Sequence, residues 1–320
     1  MRFTPFVCAA GALGLALVLE SASARAALPP LNQTASSTSN PGRFEWADLI
    51  TGNLNSAEQF YTGLLGWTAS GPQTPAGYVS EHSDKHHTYV VLYSNGMPVA
   101  GLVSRTRGAA DRPARWIPYI AVSSIDTTLH EVDSLNCRIV SHVRDVPDRG
   151  RQAVIQDPEG AILGLLQSSS GDLPDEAPQV GQWAWYELFS ANPTGASSFY
   201  KQAFLYGFEG SPSGEANHYV LTVGGHPVAG IESLPSDVPD ATADWIGFVK
   251  VSGLDGVLGK VQQLGGTVIE PAQNGADHTR FALVSDPTGG VFGLVEFLGG
   301  TAPDNGTGTT MNNATTPTTP

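Results

Sequence analysis

The sequence predicts an α+β protein of two tandem domains, each built from two strand-helix-three-strand (βαβββ) modules, and three internal echoes predict it. Trp46-Ala-Asp-Leu49 followed by Phe60-Tyr61 returns as Trp185-Tyr-Glu-Leu188 followed by Phe199-Tyr200, at an offset of 139. Asp157-Pro-Glu-Gly160 and Asp286-Pro-Thr-Gly289 close the two copies, each with an arginine six residues upstream, Arg151 and Arg280. Pro98-Val-Ala-Gly101 and Trp116-Ile117 recur as Pro227-Val-Ala-Gly230 and Trp245-Ile246, at an offset of 129. A chain of 320 residues has room for two such domains, each burying its own core.

Residues 1–26 read as a secretory signal: Arg2 is the n-region charge, Phe6 to Leu19 is apolar, and Ala24-Arg-Ala26 offers small residues for cleavage. That apolar run is shorter than the ~20 residues of a spanning helix, so no stable membrane span is expected, and localisation is secreted or periplasmic. Residues 27–42, rich in Pro, Ser, Thr and Asn, read as a flexible leader.

Domain 1 is expected over 43–168. Phe44 to Ile50 alternates as a strand, and Ser56 to Leu65 puts Ala57, Phe60, Tyr61, Leu64 and Leu65 on one helical face. Asn53 or Asn55 caps that helix. A hairpin follows at Thr88–Tyr93 and Val99–Val103, since Asn95-Gly96 suits a tight turn. The module then repeats: strand Trp116 to Val122, helix Ile125 to Leu135, strand Arg138 to Ser141, and two more strands around 151–156 and 161–167. Residues 169–180 have linker composition, 181–298 restate the whole order as domain 2, and 299–320, all Thr, Asn, Gly and Pro in character, read as a disordered tail.

Composition narrows the function. The formal charge is −14, and no basic run, P-loop or dinucleotide fingerprint occurs, which argues against nucleic-acid and nucleotide partners. Once the signal is removed Cys137 is the only cysteine, so an intramolecular disulfide is excluded and stability rests on packing.

With these motifs in order and twice over, residues 43 to 298 resemble the vicinal oxygen chelate superfamily, the fold of glyoxalase I, bleomycin-resistance proteins and extradiol dioxygenases. The two-domain glyoxalase-like proteins are the nearest in pattern. The resemblance implies that the two modules of each domain curl a mixed sheet into a cleft, and that modules can pair between chains, giving an expected homodimer. It also implies a divalent metal held from the first, fifth and last strands of a module. At the corresponding places stand Trp46 and Trp185, Ile117 and Ile246, Gly164 and Gly293. None can coordinate a metal through its side chain, so neither a metal nor another cofactor is expected.

Residues two apart on a strand share a face, so Trp46 accompanies Asp48 and Trp185 accompanies Glu187. These four, joined by Trp116, Tyr119, Trp245 and Phe248 of the fifth strands, form the expected ligand-binding set. An aromatic wall with one acid suits a small aromatic or amine-bearing ligand. The competing reading puts the tryptophans in the core and pairs each acid locally. A further alternative is an enzyme of the family, lyase, isomerase or ring-cleaving dioxygenase, with a recruited metal or with the desolvated acids as general bases. Only Arg151 and Arg280 then offer themselves as electrophilic partners, and a structural ion pair is the simpler role for them. His82, His86 and His87 lie in a polar stretch that reads as a solvated loop. The exchange of Arg149 for His278 between the repeats reads as a loop substitution and carries no site.

Overall fold

The computed structural model describes residues 27–75, 87–105, 112–210, 218–234, 242–275 and 278–299. The first module consists of β1 (Phe44–Thr51), α1 (Leu54–Leu65), β2 (Thr68–Ala69), β3 (Tyr89–Ser94) and β4 (Met97–Ser104). The second runs β5 (Arg115–Ala121), α2 (Ile125–Asp133), β6 (Arg138–Val146), β7 (Gly150–Gln156) and β8 (Ile162–Ser168). The third comprises β9 (Trp183–Ser190), α3 (Pro193–Phe204), β10 (Gly207–Gly210), β11 (Tyr219–Val223) and β12 (His226–Ser233). The fourth closes the fold with β13 (Asp244–Lys250), α4 (Leu254–Gln263), β14 (Thr267–Asn274), β15 (Thr279–Ser285) and β16 (Val291–Phe297).

Local chemistry explains the boundaries. Asn53 caps α1 by accepting from the Ser56 amide at 3.1 Å, and Gly66 ends the helix at φ 69°. Asn192 caps α3 in the same way, with Pro193 in the first turn. Asn95 and Gly96 both take positive φ, as a two-residue hairpin turn demands.

Each half of the chain makes one eight-stranded sheet, in the orders β2-β3-β4-β1-β5-β8-β7-β6 and β10-β11-β12-β9-β13-β16-β15-β14. The first strands of the paired modules meet antiparallel at the centre, β1 on β5 and β9 on β13. Parallel pairs flank them, β1 with β4 and β5 with β8.

The helices do not serve their own halves alone. Ala57, Phe60, Tyr61 and Leu64 of α1 share a core with Val249, Val251, Leu254, Val261, Phe292 and Leu294 of the fourth module. Ala196, Phe199, Tyr200 and Ala203 of α3 pack likewise with Ile120, Val122, Ile125, Val132 and Leu163 of the second. Two separate cores were expected; these two are pooled across the halves.

The repeated motifs are the fastening. Tyr61 Oη donates to Asp286 Oδ2 at 2.8 Å and Tyr200 Oη to Asp157 Oδ2 at 3.0 Å, so each Phe-Tyr pair reaches the Asp-Pro-x-Gly turn of the other half. Trp116 Nε1 and Trp245 Nε1 donate to the same two hydroxyls at 2.9 and 2.8 Å.

Residues 27–42 are a second correction. Rather than a flexible leader, they form a strap tied to the linker: Ser36 N donates to Ser170 O at 2.9 Å, Asp172 N to Thr38 O at 2.9 Å, and Asn40 N to Asp172 Oδ2 at 2.6 Å. Leu28 and Leu31 are each only 1% exposed, packed beside Trp46, Tyr89, Val146 and Leu166. The linker is fixed in turn, with Leu173 N donating to Glu45 Oε2 at 2.7 Å and Asp175 paired to Arg43 at 2.5 Å. A stretch poor in apolar residues still orders when a few of them find a groove and its polar backbone finds a partner strand. The expected signal, 1–26, and residues 300–320 of the expected tail lie outside the described residues. No helix among the described residues is long and apolar enough to cross a membrane.

Candidate functional site

Side chains facing away from the helices gather in one buried cluster per half, at the place where the resemblance implies a cleft. In the first, Asp48 is fully buried, and its Oδ1 accepts from Trp46 Nε1 at 2.8 Å and from Tyr89 Oη at 2.5 Å. The glycine of Pro98-Val-Ala-Gly101 makes room for that carboxylate, because a Cβ there would overlap both the Tyr89 hydroxyl and Asp48. Tyr119 lies over Gly164 in the same fashion, and its hydroxyl accepts from Arg144 Nη2 at 3.3 Å. Arg144 also donates to Gln152 Oε1 at 3.3 Å. Above Trp46, with its guanidinium carbon 3.8 Å from the ring centroid, sits Arg149, which is fully buried.

The second cleft has the same backbone and different chemistry. Trp185 Nε1 donates to Glu187 Oε2 at 2.7 Å, and Glu187 again lies over a glycine, Gly230. Its other oxygen, Oε1, is buried, makes no hydrogen bond and faces His218 Nε2 at 3.7 Å. At the 129 offset, Tyr119, Arg144, Arg149 and Gln152 become Phe248, Gln273, His278 and Phe281. Phe248 and Phe281 meet edge to face, 6.3 Å between centroids. The first cleft is therefore cationic and polar, and the second is aromatic with one carboxylate beside a buried histidine.

Six of the eight expected residues lie on the cleft faces: Trp46, Asp48, Tyr119, Trp185, Glu187 and Phe248. Trp116 and Trp245 do not. They belong to the helix-side cores with Tyr61 and Tyr200. The reason is strand parity: Trp116 and Tyr119 are three apart on β5, an odd spacing that sends them to opposite faces. Arg149 was the residue missed. It ends the β6–β7 turn between Asp148 and Gly150, both at positive φ, and a turn residue gives no periodic signal of pointing inward. Arg151 and Arg280 pair with Asp126 and Asp255 in the first turns of α2 and α4, at 2.7 and 2.8 Å, away from both clefts. Of the histidine stretch, His82 and His86 fall outside the described residues. His87 Nδ1 sits 2.6 Å from Ser104 O.

The divalent metal that the resemblance implies does not fit these residues. Across β1, β5 and β8 the register aligns Trp46, Tyr119 and Gly164, and Ile117 stands opposite Asp48. In the second cleft Phe248 covers Gly293, and the Arg149 guanidinium over Trp46 would repel a divalent cation in the first. Among the described residues no group of three or more His, Cys, Asp or Glu side chains converges. Restoring the family's carboxylate by Gly293→Glu should therefore destabilise the fold by roughly 1–3 kcal/mol or more, since its Cβ would overlap the Phe248 ring. Thermal denaturation with and without Zn or Mn checks this. A melting temperature raised by metal in the variant would contradict it.

The chain is similar to known proteins over most of its length. Residues 43–165 match the model of the Glyoxalase/Bleomycin resistance protein/Dioxygenase superfamily. "Putative glyoxylase CFP32" of Mycobacterium tuberculosis is 29% identical over 259 residues, which cover 80% of this chain and 95% of that protein. Anthracycline biosynthesis protein DnrV of Streptomyces peucetius is 28% identical, over 81% of this chain and 95% of that one. Among solved structures, the 2,3-dioxygenase LapB from Pseudomonas sp. KL28 superposes with a TM-score of 0.55 at 11% identity, covering 83% of this chain and 96% of that one. The Mn(II)-bound glyoxalase from Novosphingobium aromaticivorans does so at 0.52 and 14% identity, covering 81% and 83%.

Proposed function

We propose that this chain, which is similar to the glyoxalase, bleomycin resistance protein and dioxygenase superfamily over residues 43–165, is an exported binding protein that captures a small aromatic, amine-bearing molecule in its second cleft, without the metal of that superfamily. The observation that carries the reading is Glu187 Oε1, a buried carboxylate oxygen with no hydrogen bond, beside the Trp185 indole. An ammonium group would supply the missing charge-assisted hydrogen bond, while Trp185, Phe248 and Phe281 would enclose an aromatic body. The corresponding face of Trp46 is already covered by Arg149, so a cationic ligand belongs to the second cleft and not the first. Two relatives are named for anthracycline biosynthesis, which accords with an aromatic ligand class. Export rests on the signal character of residues 1–26.

Fluorescence titration with 9-aminoacridine, a cationic fused-ring probe, tests the site. Glu187→Gln and Trp185→Ala should each weaken binding roughly tenfold or more, the size of one charge-assisted hydrogen bond, whereas Asp48→Asn should leave it unchanged. Binding that survives both cleft-two substitutions, or that Asp48→Asn weakens equally, would refute the assignment.

A further inference from the structure

The first cleft holds a cation whose partner is missing. Arg149 is fully buried, its Nε donates to Pro29 O at 3.2 Å, and its Nη1 and Nη2 make no hydrogen bond. A buried guanidinium is normally paired, because the fork of donors loses its hydration on burial and regains it only from an anion or carbonyls. Stacking on Trp46 compensates one face of the group and leaves the edge donors unmet. Asp48, the cleft's acid, is engaged by Trp46 and Tyr89. Arg144, bound to Tyr119 and Gln152, adds a second positive charge on the same wall.

What covers Arg149 is the chain's own strap. Leu28 and Leu31 fill the apolar part of the cleft against Trp46, Tyr89, Val91, Tyr119 and Leu166, and Pro29 lends a single carbonyl to the guanidinium. The strap is anchored beyond this point, at residues 32 to 40, by hydrogen bonds to Ser170, Asp172 and Leu173. Its tip is weakly equipped to stay: Pro29 and Pro30 have no N–H to donate, so residues 28–31 rest mainly on two leucine side chains and that one bond. Residues 28–31 thus occupy the cleft as a tethered ligand would, with the apolar part matched and the anionic part absent.

We infer that the first cleft is a binding site for an aromatic carboxylate, and that residues 28–31 are its built-in competitor. A carboxylate on a ring would replace the two leucines with its apolar body and satisfy both Nη donors as a bidentate pair. The strap, held nearby by its anchor at 32–40, reoccupies the cleft when the ligand leaves. The second cleft cannot do this, since His278 stands in place of Arg149 and Gln273 in place of Arg144. The inference is independent of the amine-binding assignment, which uses other residues and a ligand of opposite charge.

Calorimetric titration of the mature chain with 2-naphthoate, against uncharged 2-naphthylmethanol, reads the site. The carboxylate should bind at least roughly tenfold more tightly than the alcohol. The double substitution Leu28→Ser with Leu31→Ser should tighten naphthoate binding by a similar factor, and Arg149→Gln should weaken it by a similar factor. If Arg149→Gln fails to fold by circular dichroism, Arg149→Lys, which keeps the charge and loses the fork, should still bind several-fold more weakly than the parent. Hydrogen exchange at the Leu28 and Leu31 amides should speed up when naphthoate is bound, because the strap is displaced. Equal affinity for acid and alcohol, indifference to the leucine pair or to Arg149, or undisturbed exchange at residues 28 and 31 would each overturn the inference.

Discussion

Asp157→Ala and Asp286→Ala are each expected to lower the free energy of unfolding by about 3–5 kcal/mol, the range for removing one partner from a buried charged network. Asp157 Oδ1 accepts from the Glu159 and Ala161 amides at 2.9 and 2.8 Å, while its Oδ2 accepts from Tyr200 at 3.0 Å. Asp286 holds the Thr288 amide at 2.6 Å, the Gly290 amide at 3.1 Å and Tyr61 at 2.8 Å. Alanine would leave buried amides and a tyrosine hydroxyl without acceptors in each case. Because the tyrosine comes from the other half, both substitutions should also loosen the pooled cores. Tyr61→Phe and Tyr200→Phe each remove two bonds, the one donated to the aspartate and the one accepted from Trp116 or Trp245, and should cost about 1–3 kcal/mol. Urea unfolding of the Tyr61→Phe and Asp286→Ala cycle should yield a clear coupling energy. Losses below about 1 kcal/mol for both alanine variants would show that the reciprocal bonds contribute little.

Glu45→Gln should stabilise the protein in alkaline solution and leave it nearly unchanged in acid. Glu45 lies beside the linker at a cavity of about 580 Å³ lined also by Trp183, Trp185 and Pro174, and burial pushes its carboxyl from 4.5 up to about 8. Asp172 adds to the rise, whereas the hydrogen bond from Leu173 and the charge of Arg43 oppose it. Between about pH 4.5 and 8 the folded chain keeps a proton that the unfolded chain has released, so this residue reduces stability progressively as pH rises through that window. Above pH 8 the full penalty is present, at most ~5 kcal/mol by the usual conversion of a pKa shift. Glutamine remains neutral and can still accept from the Leu173 amide. The difference in unfolding free energy between variant and parent, measured from pH 4 to 9, should grow with pH. A difference that stays flat would mean Glu45 ionises normally.

Much of the fold was legible because its signals are local. Asn53, Asn192 and the Asn95-Gly96 turn act within a few residues, and the alternation of β1 and β9 pairs Trp46 with Asp48 and Trp185 with Glu187 on shared faces. The same alternation, applied consistently, would have separated Trp116 from Tyr119. Trp245 and Phe248, also three apart on β13, are separated in the same way. The Asp-Pro-x-Gly and Phe-Tyr motifs were recognised as repeats, but nothing in a single copy shows that its partner sits in the other half. Arg149 was hidden for a different reason: a turn residue carries no periodicity, and its inward direction depends on the strained turn around Asp148 and Gly150.

By itself the sequence determined the duplication, the order of the four modules and the residues at the family's ligand positions, since these depend on residue identity, caps and periods of two and 3.6. Only the tertiary structure decided which core each helix joins, that Arg149 turns inward over Trp46, and that Leu28 and Leu31 of a polar, proline-rich strap pack beside it. Those contacts join segments more than a hundred residues apart, as Arg149 and Pro29 are. Their free energy comes from apolar area and donors buried only after the two sheets have formed, so no local window of the chain contains them.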